Sequence, residues 1–162
     1  MLETPPTKTL ALTNFNMKTL FDDVARTALV ARINQLDEHS QPQWGKMTVY
    51  QMIKHCTKWE EMLLVKTQYK QSLLGRIVGN FALKDMMKDE PAKHNLPTVP
   101  SFKISGKGDV AAAKAEWLSL LAEYTDRTPV GFVHPFFGQL TAEQAGQMAY
   151  KHIDHHLRQF NC

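Results

Sequence analysis

Apolar positions along this chain recur mostly three and four residues apart, the spacing of amphipathic helices, and that period predicts four principal helices. The first is expected from about Met17 to Leu36, where Leu20, Phe21, Val24, Ala28, Val30, Ala31 and Ile33 recur at helical spacing behind Asn16 as the N-cap. A loop through Ser40, Pro42 and Gly45 interrupts the pattern. Thr48 opens the second helix, and Gln51 three places on completes a capping box. The apolar positions of this helix are Val49, Met52, Cys56, Trp59, Leu63 and Leu64, and it fades near Tyr69 or Lys70.

The middle of the chain is less regular. Residues 73–81 read as a short amphipathic helix that can run on to Met87, and Pro91, Pro97 and Pro100 then forbid a continuous helix. Such a long connection is either a functional, lid-like excursion or a plain crossover covering one end of the core. Asp109 caps a third principal helix from about Val110 to Tyr124, with Ala113, Trp117, Leu120 and Leu121 inward. A turn-rich stretch, 127–135, follows without a persuasive strand. Thr141 and Gln144 form a second capping box, opening a last helix from about Ala142 to Phe160.

These elements predict an all-α protein: an antiparallel four-helix bundle with a long crossover that carries a short extra helix. It is expected to be one domain over residues 1–162, with 1–15 as a loosely ordered N-terminal segment. A chain of 162 residues can bury a sufficient core without disulfides.

Composition narrows the function classes. The net charge of +3 is scattered with no run of Lys or Arg, so nucleic acid is not an expected partner. No stretch of about 20 apolar residues is present, so no membrane partner is expected. The N-terminus lacks the basic-then-apolar layout of a secretory signal, and Cys56 and Cys162 are too few for a disulfide framework. Cytoplasmic residence with reduced thiols is the expectation.

The chemistry lies in the histidines, of which there are seven. On the last helix, at about 100° per residue with His152 as zero, His156 falls near 40° and His155 near −60°. Ala145, Met148, Ala149, Ile153 and Phe160 share the arc of His152 and His156, whereas Glu143, Gln147, Lys151, Asp154 and Arg158 fill the other side. His152 and His156 therefore point inward and His155 sits at the polar edge. Imidazoles four places apart on one face can grip a single ion. On the second helix, His55 lies at the rim of the apolar stripe, where a bundle can turn it toward the last helix. The plainer reading is that these histidines are hydrogen-bonded core or rim residues.

His134 is read as lining a site mouth or as packed against Phe136, His39 and His94 as solvated loop residues, and Cys56 as core. Asp22–Asp23 and Glu60–Glu61 read as solvated helix faces. There is no phosphate-cradling glycine loop, serine elbow or Cys-x-x-Cys pair.

Residues 44–56, from Trp44 to Cys56, resemble the start of the second helix in the DinB/YfiT-like superfamily, and His152-Ile153-Asp154-His155-His156 resembles its His-x-x-His-His helix. The stretches 93–98, 134–138 and 156–160 resemble one branch of unknown function, so the likeness covers nearly everything from Met17 onward. The resemblance implies a bundle with a long crossover and a metal held by three histidines, here His55, His152 and His156. It implies zinc, nickel or a related divalent transition metal, and a homodimer. It also implies transfer of low-molecular-weight thiols such as bacillithiol, mycothiol or glutathione, isomerisation of maleylpyruvate, or metal-dependent hydrolysis. Where members often carry Gly before the final Gln of the motif, this chain has Arg158, pointing away from the site.

Two functional readings follow. One is a metal-dependent thiol transferase or hydrolase acting on a small-molecule substrate, with Glu60, His155 and His134 considered as general base. The other is a non-catalytic metal-binding or stress-response bundle with a vestigial site.

Overall fold

The computed structural model describes residues 17–125 and 132–162. The first helix, α1 (Asp23–Ile33), begins later than the apolar period suggests. Asp22 accepts from Ala25 N at 2.7 Å and caps it there; the predicted cap, Asn16, lies outside the described residues. The segment before it is instead held to the last helix, Leu20 N donating to Gly146 O at 3.0 Å. The inward face is also rotated from the predicted one. Leu29 and Ile33 are buried, while Val24 is 79% exposed and Ala28 and Ala31 face solvent.

Helix α2 (Val49–Leu63) carries the predicted capping box, and all its predicted apolar positions are buried. It stops short of Tyr69. Val65 takes a left-handed φ of 59°, and Lys66 N and Thr67 N close back on Glu61 O. Helix α3 (Leu73–Met86) is capped by Ser72 and turns Gly75, Gly79 and Leu83 inward. Its opposite face is bare, with Leu73, Ile77 and Phe81 each about four-fifths exposed.

A 3-10 turn at Pro100–Phe102 follows, then α4 (Val110–Ala122), capped by Asp109. The turn after α4 tightens into 3-10 geometry over Glu123–Thr125, the stretch where the predicted helix ran on to Tyr124. A two-strand ribbon then pairs β1 (Val133–His134) with β2 (Gly138–Gln139) antiparallel. Two residues per strand are too few to show a period of two, which is why alternation in the sequence does not reveal it. Helix α5 (Ala142–Gln159) has its predicted capping box.

The regular structure of the described chain is thus helical apart from that ribbon. Helix α2 lies against α4 and α5, and α1 against α5 and α4. Met52, Ile53, Met62, Leu63, Trp117, Leu121, Met148, Ile153 and Leu157 fill the space between them. Cys56 is core, as expected, and both cysteines are free. Among the described residues no helix is long and apolar enough to cross a membrane.

Candidate metal centre

Helix α2 carries His55 inward and α5 carries His152 and His156, because the apolar stripes of both helices turn these positions toward one another. One ring nitrogen from each lies within 4.8 Å of the others. The three histidines chosen by helical spacing are therefore brought together.

Hydrogen bonds around the cluster settle which nitrogens hold lone pairs. His55 Nδ1 lies 3.0 Å from the Phe102 carbonyl oxygen, which can only accept, so Nδ1 carries the proton and Nε2 a lone pair. Gln159 donates its Nε2 to the Trp44 carbonyl at 2.8 Å, which leaves its Oε1 facing His156 Nδ1 at 2.8 Å. That Nδ1 is protonated too, and His156 Nε2 is free to ligate. Gly45 makes room for this arrangement: a Cβ there would stand 2.7 Å from the Gln159 amide nitrogen. His152 Nε2 sits 2.8 Å from His55 Nε2 and donates to it when the ring is neutral and no ion is bound; among the described residues His152 Nδ1 has no partner.

All three rings are held neutral. Burial, the largest cause in each case, lowers the pKa of His55, pushes His156 down to about 3 and takes His152 well below the usual imidazole range; neighbouring histidines add to the shift. His55 and His156 present Nε2 lone pairs, and His152 does so once its proton moves to the unpartnered Nδ1. Three neutral imidazoles so placed fit a divalent transition metal, and imidazole suits zinc, nickel, copper and iron alike. The cluster could hold such an ion.

The cluster opens onto a cavity of about 1070 Å³, lined also by Trp59, Phe102, His134 and Phe137. Much of its wall comes from the crossover, from Met86 through Pro91, Lys93 and Leu96 to Pro100. The crossover thus forms part of the wall beside the three histidines. His155 lines the cavity outside the three-histidine group, its pKa lowered mainly by burial. Arg158 points away, paired with Asp154 at 2.8 Å.

Other placements differ from the sequence reading. His94 is exposed, as expected, yet it stacks on Trp44 at 3.8 Å between centroids and has His155 6.1 Å away. His39 is a solvated loop residue. Gln147, placed on the polar arc, is buried and donates to Glu143 at 3.3 Å. Glu60, read as a solvated face, is fully buried, and its Oε2 accepts from the Tyr124 hydroxyl at 2.6 Å. Tyr124 lies 64 positions away, so no local pattern could announce that pairing. His134 is buried within the ribbon and both lines the cavity and packs on aromatic rings, Phe137 and Trp59 rather than Phe136. A histidine directly before Pro135 and two phenylalanines was its only sequence signal.

No curated protein and no solved structure matches the chain. The family model of the DinB superfamily matches residues 23–160, a span that contains α1 to α5 and all three clustered histidines. The chain belongs to the DinB superfamily.

Proposed function

We propose that this protein is a metal-dependent enzyme of the thiol-transferase or hydrolase type, acting on a small molecule with one divalent transition metal, zinc or nickel, held by His55, His152 and His156. The observation that carries this reading is the trio of neutral imidazoles whose ring nitrogens converge within 4.8 Å where a large cavity begins. Three ligands leave coordination positions open toward that cavity, as catalytic rather than structural sites do. The chemistry such an ion supplies is Lewis acidity toward a bound water or thiol.

The chain's own part is binding, orientation and exclusion of water. The Phe102 carbonyl and the Gln159 amide fix the tautomers of two ligands. Trp59 stacks on His152 at 4.6 Å and keeps that ring from turning. Of the three groups considered as general base, Glu60 is sealed in the core away from the cavity, and the His134 lone pair is taken by two backbone amides. That leaves His155. The cavity is large enough for a low-molecular-weight thiol beside a second substrate.

Helices α1, α5, α2 and α4 contact one another in a closed ring, which supports the antiparallel four-helix bundle. The same proposal includes a homodimer formed through the bare face of α3. Leu73, Ile77 and Phe81 there form one apolar stripe that no other described element covers. Light scattering should give twice the chain mass for the wild type and the single-chain mass for an Ile77→Asp, Phe81→Asp variant; a monomeric wild type ends the dimer reading.

The deciding experiment is elemental analysis of untagged protein, wild type against a His152→Ala, His156→Ala double variant. A near-stoichiometric transition metal present in the first and lost from the second is expected. Metal absent from both, even after dialysis against Zn²⁺ or Ni²⁺, sinks the metal reading. With metal established, dependence of substrate turnover on an added thiol separates transfer from hydrolysis.

A further inference from the structure

His134 is 1% exposed, and its Nδ1 lies 3.0 Å from both Phe136 N and Phe137 N. Backbone amides can only donate, so this nitrogen must be the ring's lone pair, shared by two donors. A neutral imidazole has one lone pair and one N–H, so the proton is fixed on Nε2. That assignment needs no choice of hydrogen placement, because two obligatory donors make it.

The consequence is a ring that can be neither a metal ligand nor a base. Its single available group is a donor, and among the described residues that donor has no acceptor: His134 Nε2 is buried and unpartnered. Its neighbours are the rings of Phe137 at 4.6 Å, Trp59 at 4.9 Å and Phe102 at 5.9 Å, none of which offers an acceptor of ordinary strength. Burying an N–H in such a place without a partner is unfavourable, and native structures rarely tolerate it without a reason. The ring lies on the wall of the cavity, and Trp59 beside it stacks on His152. The unpaired indole of Trp59 carries no weight here, since among the described residues that of Trp44 is unpaired as well.

The wall is also rigidly placed. Ser72 N donates to Pro135 O at 2.9 Å, and Gln71 donates to Phe136 O at 3.1 Å. Gly75 and Gly79 of α3 admit the Phe136 carbonyl so closely that a Cβ at either would overlap it. A donor locked in position by backbone contacts is organised in advance for whatever acceptor arrives.

We propose that His134 is a substrate-binding residue, its Nε2–H donating to a carbonyl or carboxylate oxygen of the molecule that occupies the cavity. The substrate class is therefore a small molecule bearing an oxygen acceptor beside the group that reacts, and an analogue without that oxygen leaves the N–H unpaired and is rejected. This deepens the function proposed above, and rests on it in placing that molecule against the three-histidine cluster.

The test separates the two nitrogens of the ring. In His134→Asn the side-chain oxygen can take the place of Nδ1 and keep the turn, but the outer donor is gone. In His134→Gln the side-chain amide can restore an N–H near the position of Nε2. With acetate as probe and zinc-loaded protein of measured metal content, calorimetry should show acetate affinity about ten-fold or more weaker in His134→Asn, at unchanged zinc stoichiometry, with partial recovery in His134→Gln. In metal-free, ¹⁵N-histidine-labelled wild type, the ring should be the Nε2–H tautomer, and its Hε2 resonance should move downfield on adding acetate. Equal affinity in wild type and His134→Asn, no acetate binding to the wild type, or the Nδ1–H tautomer would each overturn the proposal. Failure to load zinc, with Hε2 still responding to acetate, removes the metal reading and supports this one.

Discussion

His55 and Glu60 lie five positions apart on α2, and both are buried polar side chains, yet they are built for opposite ends. Glu60 is closed off: it is fully buried, its Oε2 takes the Tyr124 hydroxyl, and it does not reach the cavity. Burial pushes its carboxyl up to about 8, against the opposing pull of the Tyr124 hydroxyl and the Trp117 indole, so it is held mostly as the neutral acid at pH 7. His55 has its Nδ1 committed to a backbone carbonyl and its Nε2 turned toward two more rings at the cavity wall. A pKa shifted by burial therefore marks both places and distinguishes neither. What separates the candidate site from the sealed pair is its place on a cavity wall, where His156 Nε2 keeps a lone pair that no described residue takes.

The largest effect that would break this contrast is expected at Gln159. Gln159→Leu removes the acceptor that fixes the His156 tautomer, and metal affinity measured by chelator competition should fall by about ten- to a hundred-fold with the helical content intact. Unchanged affinity would mean that the tautomer is set by something else. A smaller effect is expected at Glu60. Its folded pKa lies above its unfolded value of 4.5, so the stability it contributes is fully present below about pH 4.5 and is lost as pH rises through about 8. Glutamine cannot ionise and can still accept from Tyr124. The melting temperature of Glu60→Gln should therefore exceed that of the wild type by a margin that widens from pH 4.5 to 8, with metal affinity unaltered. A margin independent of pH would show that Glu60 does not titrate in this range.

Much of the candidate site was legible because it depends on helical period. The capping boxes at Thr48 and Thr141 set the start of α2 and α5, and once those are fixed, spacing alone turns His152 and His156 inward with Ile153 and Phe160. Where a tertiary contact overrides local preference, the sequence reading failed. The packing of Leu29 and Ile33 turned Val24 of α1 outward. Glu60 looked solvated because its partner sits on a distant element. His134 owed its role to a turn of a few residues, where periodicity carries no information. The four-way contact among α1, α2, α4 and α5 follows from their apolar stripes, but the two-residue strands beside it have no counterpart in the pattern.

The seat of the Phe136 carbonyl between Gly75 and Gly79 has a consequence for the order in which the molecule folds. Those two glycines share a face only after α3 has wound, so the notch does not exist in the extended chain. Gln71 and Phe136 are 65 positions apart, and the loop between them must close before either anchor forms. Helices that need only local contacts precede such a closure. The wall bearing His134 therefore docks only after α3 has wound.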